Sequence, residues 1–181
     1  MSSPWFSVGL ASSYFPVTDA NSTALSELPT PTCKYDSNGD QRRPIGCKVF
    51  LAPSDGSSRA IQLSHDPLEQ ERAALKEGRQ VLVFKYNGKM HAVDNKCPHT
   101  SYPLSNASPF DIEDFGITLS AGLTCPKHSW SFDLFTGASD RGKYRLGIWD
   151  AKVCPATTGE EGEQEVWVRR RDKAMTTRIH E

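Results

Sequence analysis

Val81-Leu82-Val83-Phe84-Lys85-Tyr86, Asn87-Gly88 and Lys89-Met90-His91-Ala92-Val93 stand in immediate succession. The two flanking runs are rich in β-branched and aromatic residues, and the Asn-Gly pair between them suits a two-residue turn that needs positive φ at both positions. The stretch therefore predicts a β-hairpin, the clearest in the chain. Its second strand leads directly toward Cys97, so the hairpin also delivers the first chemically distinctive residue.

Further strands are expected on either side. Trp5-Phe6-Ser7-Val8-Gly9-Leu10 reads as an opening strand and 47–51 as a second, with more at 117–120, 131–133, 147–153 and 165–169. Residues 18–45 are rich in Ser, Thr, Pro and Asn, aperiodic apart from Leu25 and Leu28, and are expected to form an irregular loop. Asp66 before Pro67 gives a helix start, helix formers fill 68–77 and Gly78 closes the run, so one short helix is expected there. Residues 157–163 read as a polar turn. The sum is an all-β antiparallel sandwich in one domain, residues 1–181, a size that can bury one respectable core.

Two short clusters carry the chemistry. Cys97-Pro98-His99 and Cys125-Pro126-Lys127-His128 each place one Cys and one His on a proline-containing turn. Two such loops can close on a metal centre like jaws, each donating a thiolate and an imidazole. Cys125 near His128 could alone suggest an activated nucleophile, but a second, matching pair makes a ligand role the better explanation.

The pattern Cys-X-His, a spacer, then Cys-X-X-His resembles the ligand signature of Rieske [2Fe-2S] proteins, in which two His replace two Cys on one iron. The likeness extends through Val93-Asp94-Asn95-Lys96 and Ser129-Trp130-Ser131-Phe132-Asp133-Leu134-Phe135-Thr136-Gly137, covering roughly residues 80–150. It implies a cluster-binding subdomain and a [2Fe-2S] cofactor held by Cys97, His99, Cys125 and His128. Zinc is the competing occupant, since two Cys and two His also satisfy a tetrahedral ion. Zinc motifs usually pair Cys with Cys and His with His, whereas each motif here is mixed.

The resemblance brings expectations about potential. Two ferric ions, two sulfides, two thiolates and two neutral imidazoles sum to zero charge, and one added electron leaves −1. Such a site accepts an electron more readily than one held by four thiolates. The outer nitrogens of His99 and His128 could couple proton uptake to reduction. Departures from the family matter too. The spacer between the two motifs is longer than the resemblance leads one to expect, and the surplus is expected as a surface loop insertion at Asn106 to Phe115. The extra cysteines that form a disulfide in respiratory relatives are missing, with Lys127 in one of their places. Trp130 and Phe132 occupy positions where high-potential relatives have hydroxyls bonded to sulfur, which points to the lower, ferredoxin-like range. Ser101 and Ser129 replace the family's usual glycines, and no proline lies between Gly137 and Leu146.

The remaining residues narrow the function. A formal charge of −1 and a pI near 6.5 give no general drive toward nucleic acid, and Arg169-Arg170-Arg171 is expected to solvate a strand end. No apolar run approaches a membrane span, and no Lys or Arg precedes Lys34, so neither a signal nor a transit peptide is expected and a cytoplasmic location is. Cys33, Cys47 and Cys154 are expected as free thiols, with a Cys33–Cys47 bridge as the alternative. His91 is expected as a half-exposed strand residue outside the ligand set, His65 and His180 as residues without a role, and Trp149 and Trp167 as core. Trp130 either shields the cluster, presents an aromatic face to a partner, or simply packs.

The expected activity is electron carriage between redox protein partners, a reductase and an oxygenase-like acceptor, without a catalytic site of its own. Only about thirty residues follow Trp149, with His180 as their sole His, too few for an oxygenase's mononuclear iron domain. A redox-sensing module or an accessory subunit of a larger oxidoreductase is the alternative.

Overall fold

The computed structural model describes residues 3–18, 23–27, 46–54, 56–63, 79–157 and 161–171. Its strands, in chain order, are β1 (Phe6–Leu10), β2 (Pro16–Val17), β3 (Cys47–Leu51), β4 (Ile61–Gln62), β5 (Gln80–Tyr86), β6 (Lys89–Asp94), β7 (Ser108–Asp114), β8 (Ile117–Cys125), β9 (Trp130–Asp133), β10 (Ile148–Pro155) and β11 (Gln164–Arg170). The larger sheet runs β1-β11-β10-β6-β5-β3-β4, with β2 added parallel to β5, and the smaller runs β7-β8-β9. All other strand pairings are antiparallel.

The β5–β6 hairpin forms as its sequence dictates. Asn87 and Gly88 take φ of 45° and 77°, and Val83 lies opposite Ala92 in the register. Central strand β5 is covered on both faces, which its unbroken apolar run allows. Val81 and Val83 enter one core with Phe6, Val8, Trp149, Val166 and Val168. Leu82, Phe84 and Tyr86 enter the other with Leu104, Leu123, Phe132 and Leu134. That second core joins the sheets, and it contains Cys97 and Cys125. The two Cys-and-His loops therefore rest on the core that joins the two sheets.

Several expectations change. Residues 108–114, read as a surface loop, are strand β7, paired with β8 from Ser108↔Thr124 to Asp114↔Ile117. The hairpin turns at Phe115-Gly116, with φ of 49° and 75°. Gly122 admits the Phe110 ring, whose Cζ would lie 2.3 Å from any Cβ there. His91 is buried at 8% exposure rather than half-exposed, because it stacks on Phe84 (5.6 Å, 24°) and meets Phe135 edge-on (5.6 Å). Trp149 is core at 4% exposure, while Trp167 is half-buried. Arg169 and Arg171 both bond Asp150, at 3.0 and 2.9 Å, and these contacts hold its carboxyl below the ordinary range despite the opposing effect of burial.

The expected helix at 66–77, Cys33, His65, His180 and most of 18–45 lie outside the described residues. Within 18–45, Leu25 begins a 3-10 turn (Leu25–Glu27), is fully buried, and donates its N–H to the Ala107 carbonyl at 3.0 Å. Cys47 is a buried free thiol, which burial pushes up to about 12, and Cys154 is free and half-buried.

Candidate metal centre

The first ligand loop leaves β6 and is anchored by Asn95. This residue is fully buried; its Nδ2 donates to Gln80 Oε1 (3.0 Å) and its Oδ1 accepts from the Ser105 N–H (3.0 Å). Its backbone N–H donates to the Gln80 carbonyl, and its own carbonyl accepts from Leu104. Both ends of the loop are thus tied to one side chain and one strand. Inside it, Cys97 donates its N–H to Tyr102 and accepts at its carbonyl from Ser101 (2.7 Å).

The second loop is the connection between β8 and β9, closed by the pair Cys125↔Trp130. The Ser129 N–H donates to the Cys125 carbonyl at 3.0 Å, repeating the Ser101–Cys97 contact. Ser101 and Ser129 both adopt φ of 58°. The two loops thus share one construction, a five-residue turn starting at Cys and ending at a left-handed Ser. Burial raises the Cys125 thiol pKa, while the backbone N–H groups of Lys127 and His128 aim at the sulfur and oppose that effect.

The four residues pair like with like. The free thiols of Cys97 and Cys125 lie near enough for Cys97 to raise the Cys125 pKa, and both residues are 1% exposed. The His99 and His128 rings lie 5.1 Å apart between centroids. Two irons need only a pair of donors each, which this like-with-like arrangement supplies. His99 Nδ1 is buried and without a hydrogen-bond partner, an arrangement that costs free energy unless something accepts its lone pair. Two buried thiols, two facing imidazoles and that orphaned nitrogen suit a [2Fe-2S] group.

The pattern of the Rieske [2Fe-2S] domain matches residues 55–145, which include both loops and the strands that carry them. The chain belongs to the Rieske [2Fe-2S] domain family. The cofactor of a Rieske domain is a [2Fe-2S] cluster. A Rieske domain-containing protein of Homo sapiens is 34% identical over 82 residues, 45% of this chain and 49% of that protein. Apoptosis-inducing factor 3 of Mus musculus is 27% identical over 159 residues, 84% of this chain but 22% of its own length. The chain therefore spans about half of one relative and about a fifth of the other. Among solved structures, a protein described as an NADH-dependent nitrite reductase small subunit from Mycobacterium tuberculosis shares 22% identity over 54% of this chain and 78% of its own, with TM-score 0.41. The ferredoxin of carbazole 1,9a-dioxygenase from Nocardioides aromaticivorans IC177 shares 23% over 52% and 79%, with TM-score 0.36. Neither overlap is close enough to bear on function.

A third loop, residues 138–145, completes this Rieske domain's site. It is fastened by the Asp140 N–H to the Ser131 carbonyl (2.9 Å), the Ser131 N–H to Asp140 Oδ1 (3.0 Å) and Arg141 Nη2 to the Ser129 carbonyl (3.3 Å). Trp130 stacks on His99 with centroids 4.0 Å apart and planes 9° from parallel. Tyr144 stands edge-on to both, at 5.6 and 5.3 Å. Trp130 thus covers one face of the first imidazole, while His128 is exposed. The sequence reading missed Asn95, Asp140 and Tyr144 as supports. Asn95 was visible only as a polar residue after an apolar strand, and Tyr144 had no spacing signal at all.

Proposed function

We propose that this protein carries single electrons, with Cys97 and Cys125 holding one iron and His99 and His128 the other. When bound, the cluster takes up one electron and gives it back. The residues do the rest. The buried thiols fix the inner end among Leu104, Leu123 and Phe132, a dry surrounding that keeps water from the sulfurs. Trp130 stacks on the His99 ring, and His128 is exposed where a partner can reach it.

The observation that carries this reading is the like-with-like pairing of the donors beneath a surface imidazole. The partners proposed are a reductase as donor and an oxygenase-like or other oxidoreductase acceptor. A second reading is an accessory module of a larger oxidoreductase; the mouse relative, of which the matching part is only 22%, supports the module part of that reading. Anaerobic titration with dithionite tests the carrier role. Uptake of one electron per chain, fully reversed on reoxidation through repeated cycles, supports it; a cluster that breaks down at the first cycle contradicts it.

A further inference from the structure

Charge is distributed unevenly around the ligand loops. Residues 96–104, 125–132 and 138–146 contain Lys96, Lys127, Arg141, Lys143 and Arg145 but only one carboxylate, Asp140, in a chain whose net charge is −1. Asp140 is already engaged by Arg141, at 3.4 Å. Lys127, Arg141, Lys143 and Arg145 are exposed, as is His128. Lys127 leans over the Tyr102 ring at 5.6 Å, and Arg145 donates to the Thr136 carbonyl. Between Lys143 and Arg145 in sequence, Tyr144 is 44% exposed and touches both the Trp130 and His99 rings. An aromatic centre inside a charged rim is the usual anatomy of a protein interface.

Resting on the electron-carrier reading, we propose that the face formed by His128 and Tyr144, ringed by Lys127, Arg141, Lys143 and Arg145, docks an acidic redox protein. Its redox centre is surrounded by Asp and Glu side chains. Charge complementarity selects this occupant: four exposed cations against one carboxylate would repel a basic protein and steer an acidic one, and screening would weaken the steering as salt rises. A nucleic acid would match the charge but offers no electron acceptor opposite His128.

The test uses the cluster-loaded protein, reduced with dithionite and freed of excess reductant. Each reduced cluster passes one electron to one ferricyanide, giving ferrocyanide, with no bond made or broken in the protein. The same reaction is run with hexaammineruthenium(III), a cation. The ferricyanide rate should fall as salt rises and the ruthenium rate should increase. The K143E/R145E variant should lose at least about threefold of the low-salt ferricyanide rate, while K152E on β10 should not. As a readout independent of the cluster, a fluorescent octaglutamate peptide should bind the wild type and K152E but not K143E/R145E. Equal salt dependence for both oxidants, or equal behaviour of the two variants, overturns the docking face. Tighter binding of a short single-stranded DNA than of octaglutamate overturns the acidic-protein assignment. If the wild type forms no reducible cluster, the carrier reading fails instead, and peptide binding still decides whether the face is anion-selective.

Discussion

Replacing Ser101 or Ser129 with glycine should make this protein more stable. Both residues hold φ of 58°, where a Cβ crowds the following carbonyl at a cost of roughly 1–2 kcal/mol for a non-glycine residue. Neither hydroxyl makes a hydrogen bond among the described residues, and the backbone contacts to Cys97 and Cys125 survive the change. Glycine widens the unfolded ensemble by about 0.5–1 kcal/mol, so the net gain is about 0.5–1 kcal/mol per site. In a chain of this length that raises Tm by a few degrees, about 2–4 °C per kcal/mol. Urea unfolding of the cluster-loaded protein under anaerobic conditions, followed by tryptophan fluorescence and cluster absorbance, measures it. Ser131→Gly, in the extended strand β9, is the control and should destabilise by about 0.5–1 kcal/mol. If S101G and S129G weaken the protein as S131G does, the left-handed turns are not as described.

Other consequences follow from single residues. Burial, with Lys89 nearby, lowers the His91 pKa from 6.5 to about 4, so the folded state keeps it neutral. Its contribution to stability is complete above pH 6.5 and is lost as pH falls toward 4, a total of roughly 3 kcal/mol; urea midpoints compared at pH 7 and 5 should show a decline that His91→Phe flattens. Asn95→Ala orphans Gln80 Oε1 and the Ser105 N–H and should cost roughly 2–4 kcal/mol, read by the same unfolding assay. His99→Cys replaces a neutral ligand with a thiolate, so spectroelectrochemistry should find a retained cluster with its potential moved toward the ~−400 mV of all-cysteine ferredoxins.

What the sequence revealed followed period and turn chemistry. The β5–β6 hairpin was legible because Asn87-Gly88 is a turn signal that few other arrangements satisfy, and β3 because its apolar run is bounded cleanly. Strand β7 was not, since Pro109 argues against a strand and Phe115 is a poor candidate for positive φ; pairing with β8 overrides both. The candidate ligands Cys97, His99, Cys125 and His128 were legible from their mixed Cys and His spacing. Their supports were not. Asn95 acts through Gln80 and Ser105, and Tyr144 reaches His99 from 45 residues away in sequence. His91 was misplaced because alternation on β6 does not disclose that Phe135 closes over it. The likeness to Rieske proteins raised the question of Ser101 and Ser129, and the backbone answered it: serine takes the left-handed angle that glycine would take freely.

The central claim is a binuclear iron cluster held by two thiolates and two imidazoles. Low-temperature EPR of the anaerobically purified, dithionite-reduced protein, with iron, sulfide and zinc quantified on the same sample, tests it most directly. A rhombic signal with average g below the free-electron value, with about two irons and two sulfides per chain, is expected. An EPR-silent sample containing about one zinc per chain would contradict it and make these loops a structural zinc site.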